Sequence, residues 1–304
     1  MRIPSHLSPG DKVGIVCPAR KISEAELAPA IADLKKWGFV PVLGKHVYAI
    51  DHQYAGTDAQ RASDLQDMIE NPEIKAIMCG RGGYGSLRIV DEVDFKKMKG
   101  QPKWLIGFSD ITTFGIDAFN KGFASIHGPM AISWNGETGD EDSREYLRQI
   151  LVGKPPKYSY SPTEQEHLKT GQATGRLIGG NLSMLSQLLG TDTDFDTKGC
   201  ILFIEDLSEY LYHLDRMIVH LKRGGKFEKL AGLIVGAFTD IQDNSTPFGK
   251  TVPEIILDAL GETEIPVCFD FPTGHWPQNY PLIHGGLATL SVSHSLVELT
   301  MELK

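Results

Sequence analysis

Short apolar runs alternate with longer amphipathic stretches through the first half of the chain. Strands are predicted at 12–17, 39–43, 76–79, 104–107 and 124–127. Between them, 24–37, 58–69, 84–91 and 111–120 carry apolar residues at helical spacing. Alternation of this kind gives a parallel sheet with helices on both faces, because every crossover must carry the chain back across the sheet. Ligands of such sheets bind beyond the strand carboxyl ends. Pro18, Arg81-Gly82-Gly83, Ser109 and His127 all fall there.

A helix over 142–151 closes this half, giving an N-terminal domain of residues 1–153. The run Gly153-Lys-Pro-Pro-Lys-Tyr-Ser-Tyr-Ser-Pro162 is proline-rich and has no helical stripe, so 154–172 reads as a linker. In 173–304, strands are expected at 173–178, 200–204, 233–238, 267–271, 287–292 and near 297–301. Helices fit 182–189, 213–221 and 252–260. The spacing is less regular than in the first half, which makes this a mixed α/β domain.

Composition narrows the function classes. The 304 residues suit one large or two medium domains, and 41% apolar content supplies a sizeable core. Net charge is −9, with no basic run longer than Lys35-Lys36 or Lys96-Lys97, which disfavours a nucleic-acid or anionic-membrane surface. Cys17, Cys79, Cys200 and Cys268 sit singly in apolar runs without metal-ligand spacing. They read as buried reduced thiols, an expectation that places the protein in the cytoplasm. The first residues lack the apolar core of a signal peptide, and no apolar run approaches a membrane span.

Four segments carry candidate chemistry. In Trp104-Leu-Ile-Gly-Phe-Ser109-Asp110 a strand runs into a serine and then directly into a helix-like segment. Such a turn exposes the hydroxyl above the sheet and aims helix amides at whatever it attacks. It departs from G-x-S-x-G at Ile111, and a plain helix cap is the competing reading. Arg81-Gly-Gly-Tyr-Gly85 lets backbone amides approach a ligand closely, and a Gly82 or Gly83 amide with that of Asp110 would make a two-donor oxyanion hole. Glu205 and Asp206 end an apolar strand on opposite faces, so at most one can address a given site. His275 lies in a stiff Pro/Gly loop suited to a general base, and His127 is the competing histidine. The segment Gly56-Thr-Asp58 with Arg61 reads as a helix start, capped by Thr57 or Asp58, with no assigned chemistry.

Together these blocks resemble the LD-carboxypeptidase family of serine peptidases, which includes the microcin self-immunity peptidases. The resemblance runs essentially end to end, through Gly175-Arg-Leu-Ile-Gly-Gly-Asn181, Leu202-Phe-Ile-Glu205-Asp206, Asp215-Arg216 and Gly274-His275 with Asn279 and Pro281. It implies a triad of Ser109, Glu205 and His275 in a cleft between the two domains, no metal or other cofactor, and a homodimer. It also implies a murein tetrapeptide substrate, cleaved to release terminal D-Ala in cell-wall recycling. Phe108 stands where tyrosine is common in the family. Arg81 is a candidate for the substrate carboxylate, and His127 for substrate affinity. Two alternatives stand beside this reading. One is self-immunity cleavage of a peptidyl-nucleotide antibiotic, although no long insertion occurs near 209–213. The other is a non-catalytic small-molecule binding protein, which would leave Ser109, Glu205 and His275 without a joint role.

Overall fold

A computed structural model describes residues 1–136 and 138–303. In the first half, β1 (Lys12–Val16), β2 (Val40–Leu43), β3 (Ile74–Cys79), β4 (Trp104–Ile106) and β5 (Ser125–His127) alternate with α1 (Glu24–Lys36), α2 (Asp58–Glu70) and α3 (Thr112–Asn120). Helix α4 (Glu141–Leu151) follows. Capping boxes start the first two helices: Ser23 with Glu26, and Thr57 with Gln60, each satisfying amides that the helix leaves free. The expected helix over 84–91 forms only the 3-10 turns Ser86–Arg88 and Val90–Glu92. There the Gly85 and Ser86 amides donate to the Asp110 carboxylate, so the chain is spent on a side-chain contact before a full helical turn can form.

The second half contains β6 (Lys157–Tyr160), β7 (Gly171–Asn181), α5 (Leu182–Leu188), β8 (Cys200–Leu207), α6 (Leu211–Arg223), β9 (Gly232–Thr239) and α7 (Val252–Leu260). It ends with β10 (Val267–Cys268), β11 (Leu282–His284), β12 (Leu287–Val292) and β13 (Val297–Met301). The stretch read as a linker thus supplies β6, which pairs antiparallel with β13, together with the start of β7. The strand expected over 267–271 stops after Cys268, and Asp270 turns the chain with φ +56°.

Two sheets result. The first has the order β2-β1-β3-β4-β5-β11, and its five strands from the first half run parallel. Strand β11, from the second half, closes the edge antiparallel to β5. The second sheet has the order β6-β13-β12-β7-β8-β9-β10, parallel from β7 to β10 and antiparallel elsewhere. Through β11 the halves share a sheet as well as a surface. Side chains tie them further: the Asn181 amide N–H donates to Thr112 Oγ1 at 3.0 Å, and Tyr158 Oη donates to the Pro281 carbonyl at 2.7 Å. Trp104, Tyr158, Phe203 and Phe271 are among the largest buried side chains, each contributing about 1.5–3 kcal/mol by burial. Among the described residues, no helix is long and apolar enough to cross a membrane.

Candidate active site

Ser109 sits where β4 ends. Gly107 still bonds to the neighbouring strand, its amide donating to the Ile126 carbonyl at 3.0 Å. Two residues later the backbone is left-handed, with φ +61° at Ser109, and the 3-10 turn Ser109–Ile111 leads straight into α3. A side chain at that φ costs roughly 1–2 kcal/mol, and the surrounding strand and helix hold it there. Neither the Asp110 amide nor that of Gly82 or Gly83 donates to another residue among those described. The bare α-carbon of Gly82 faces the serine: a Cβ built there would lie 3.4 Å from Ser109 Cβ. The serine, the Gly82–Gly83 segment and the start of the new helix therefore converge at the carboxyl end of the first sheet.

The second half contributes an ion pair. Glu205, on β8, is fully buried, and its Oε2 lies 2.7 Å from His275 Nδ1 and accepts the His275 amide at 3.3 Å. An ionised carboxylate only accepts, so in the neutral imidazole of His275 the proton sits on Nδ1 and Nε2 keeps its lone pair. Gly274 makes this approach possible. Its φ is +100°, and a Cβ there would fall 2.6 Å from Glu205 Oε2. The Gly274 amide donates to Asn279 Oδ1 at 2.9 Å, and the Asn279 amide to Ser143 Oγ on α4 at 2.9 Å. The histidine loop is thereby latched to the first half of the chain. Burial works against both charges, but the pair prevails: Glu205 is held below the usual carboxylate range, and His275 is raised above the ordinary histidine value.

Phe108 joins the two parts. It is buried beside Ser109, and its ring packs on the His275 imidazole with centroids 4.9 Å apart. From sequence, Phe108 is a departure from tyrosine whose ring is expected to pack, but an apolar residue before the serine gives no sign that it packs on the histidine. Asp206 points the other way. It accepts from Asn181 Nδ2, the Ser183 amide and Ser183 Oγ at 2.8–2.9 Å, which anchors the start of α5. Burial and then the neighbouring Glu205 charge push its carboxyl up to about 6.

The structure also places the two substrate-binding candidates. His127, at the end of β5, is enclosed rather than exposed. It is 4% exposed, wedged between Phe108 at 6.0 Å and Phe203 at 4.9 Å, and burial pushes its pKa down to about 4. Replacing it with alanine would open a cavity beneath Phe108, so His127→Ala is expected to lose about 2–4 kcal/mol of stability, read as a lowered Tm. An unchanged Tm with a raised KM would instead mark it as a binding residue. Arg81, for its part, already has a partner: Nη1 donates to Glu26 Oε1 at 3.3 Å, with both side chains about one-third exposed.

A serine beside unused amides, with a histidine packed on the neighbouring Phe108 ring and held at Nδ1 by a buried carboxylate, brings together the groups that acyl transfer requires. Comparison with known proteins bears on the chain as a whole. A family model described as the LD-carboxypeptidase N-terminal domain matches residues 13–128, and one described as its C-terminal domain matches residues 174–290. The murein tetrapeptide carboxypeptidase of Pseudomonas aeruginosa is 30% identical, over 92% of this chain and 92% of that protein. The crystal structure of muramoyltetrapeptide carboxypeptidase from Oxalobacter formigenes superposes with a TM-score of 0.86 at 27% identity, covering 96% of this chain and 98% of the other. A microcin C7 self-immunity protein in complex with aspartyl sulfamoyl adenosine has a TM-score of 0.87, covering 100% of this chain and 99% of the other. At 23% identity that likeness shows a shared fold.

Proposed function

The chain belongs to the LD-carboxypeptidase family, and from that premise we propose that Ser109, His275 and Glu205 release the terminal D-Ala of a murein tetrapeptide. His275 Nε2 takes the proton from Ser109 Oγ, which attacks the carbonyl carbon joining the L-centre of the diamino acid to D-Ala. The amides of Asp110 and of Gly82 or Gly83 receive the oxyanion, each such donor lowering the barrier by roughly 3–4 kcal/mol. His275 then returns the proton to the departing amine. Water, activated by the same histidine, releases the peptide from Ser109. Glu205 holds the ring in place and stabilises its cation throughout.

The observation that carries this reading is the His275–Glu205 pair packed, through Phe108, against the strained turn that bears Ser109. The four cysteines are free and buried, which fits the reducing cytoplasm where recycled murein peptides are processed. The homodimer implied by the family resemblance belongs to this reading as well. Incubation with defined murein tetrapeptides, followed by mass spectrometry, is expected to show loss of one alanine. Intact tetrapeptide beside cleaved peptidyl-sulfamoyl nucleotide would favour the self-immunity reading instead.

A carboxypeptidase must also bind the free carboxylate of its substrate. Arg81, next to the Gly82–Gly83 segment, can exchange its exposed Glu26 partner for that group. Losing a charge-assisted bond costs about 1.5–3 kcal/mol. Arg81→Met is therefore expected to raise KM by roughly 10–100-fold with little change in kcat. An unaltered KM would remove Arg81 from the site.

A further inference from the structure

Arg61 has no part in the chemistry just described, yet it is only 1% exposed. A guanidinium withdrawn from water is costly unless its protons find acceptors. Nη1 donates to the Pro18 carbonyl at 2.5 Å and to the Gly85 carbonyl at 3.0 Å, and Nη2 donates to the Asp58 carboxylate. The cation lies over the Tyr54 ring, 4.8 Å from its centroid. Pro18 follows β1, Gly85 follows β3, and Asp58 opens α2, so one side chain joins three segments at the carboxyl end of the first sheet.

Asp110 holds the same loop from the other side. Its carboxylate accepts the amides of Gly85 at 3.3 Å and Ser86 at 2.9 Å, and Ser86 Oγ donates to the Asp110 carbonyl at 2.7 Å. Gly85 is thus gripped at both of its backbone polar groups, the carbonyl by Arg61 and the N–H by Asp110. Its φ of +154° and the space around it admit only glycine: a Cβ would meet Arg61 Nη1 at 2.8 Å and Ala19 Cα at 2.9 Å.

We propose that Arg61 is a positioning residue for the oxyanion donors, fixing the Gly82–Gly83 segment against Ser109 through its hold on Gly85. The inference rests on the oxyanion role proposed above and extends it to the side chain that sets the geometry. Lysine cannot substitute, because a single ammonium lacks the planar fork that reaches two carbonyls and a carboxylate together. A displacement of about 1 Å in catalytic groups costs on the order of 100-fold in rate.

The test is Arg61→Lys in the full chain. It compares kcat and KM for the tetrapeptide, the rate of Ser109 labelling by a fluorophosphonate, and hydrogen exchange across 81–86. The expected result is a fall of about 10–100-fold in both kcat and labelling rate, with KM kept within about threefold. Exchange should rise in 81–86 but not in β8 or β9. Arg88→Ala removes another partner of Asp58 without touching Gly85, and should leave kcat unchanged. A folded Arg61→Lys enzyme with normal kcat and labelling overturns the proposal, as does one whose KM rises while kcat holds. If Arg61→Lys does not fold, Asp58→Asn takes its place. It keeps the guanidinium but removes its anchoring carboxylate, so kcat should fall about 3–10-fold, and an unchanged kcat counts equally against the proposal. Labelling and exchange need no substrate. A wild-type protein that labels at Ser109 yet ignores the tetrapeptide would sink the substrate assignment, while the labelling comparison would still decide the role of Arg61.

Discussion

Ser109→Ala is expected to abolish hydrolysis, by roughly 10⁶-fold in kcat where the serine, histidine and carboxylate act as one unit. The fold should survive. Among the described residues no hydrogen bond depends on Ser109 Oγ, and alanine at φ +61° meets the same left-handed cost that serine already bears. Ser109→Gly sharpens the comparison. Glycine relieves that cost of roughly 1–2 kcal/mol, while its extra freedom in the unfolded chain takes back about 0.5–1 kcal/mol. Ser109→Gly should therefore be at least as stable as Ser109→Ala, and equally inactive. Thermal unfolding and tetrapeptide turnover measured side by side decide the matter. Substantial turnover by either variant would exclude Ser109 as the nucleophile.

The middle of the first sheet was legible because β1, β3 and β4 are central and buried. Ile15, Ile77 and Ile106 lie in short apolar runs flanked by amphipathic helices, and local pattern alone specifies that arrangement. Strands β6 and β11 were not legible, since their partners lie far away in sequence. Leu282-Ile283-His284 is three residues inside a Pro/Gly loop, and it becomes a strand only by pairing with Ser125–His127. Lys157–Tyr160 follows two prolines, and it is ordered by β13.

The same limit applies at the site. The change of period around Gly107 announced a turn at Ser109, but the pairing of Glu205 rather than Asp206 with a histidine was beyond period-two alternation. That pattern says the two acids face apart, and it cannot say which face meets the histidine loop. The answer lies in Asn181 and Ser183, which claim Asp206, and in Gly274, whose missing side chain leaves room for Glu205. Burial separated the histidines in a comparable way: nothing in the local sequence around His127 predicts its position under Phe108.

Glu205→Gln is expected to cut kcat by about 10⁴-fold, the scale seen when the orienting acid of such a triad becomes an amide. The amide can donate as well as accept, so it no longer enforces the tautomer with its proton on Nδ1, and it cannot stabilise the imidazolium. The pH dependence carries a second, independent signature. To act as base, His275 must be neutral in the free enzyme, so kcat/KM should rise with pH through its pKa. Burial lowers that pKa, and the Glu205 charge with its hydrogen bond raises it further than burial lowers it, so the acidic limb of the wild-type profile should lie above the ordinary histidine value of 6.5. Removing the charge leaves burial unopposed by its largest counterweight, and the limb should move to lower pH. The residual Asp206 carboxylate also favours the cation, but it is engaged with Asn181 and Ser183 on the other face of β8. The measurement is kcat/KM against pH for both proteins, with Asp206→Asn alongside. If Glu205→Gln keeps both rate and limb while Asp206→Asn loses activity without loss of stability, the orienting acid is Asp206 and the pairing at 2.7 Å is not the catalytic one.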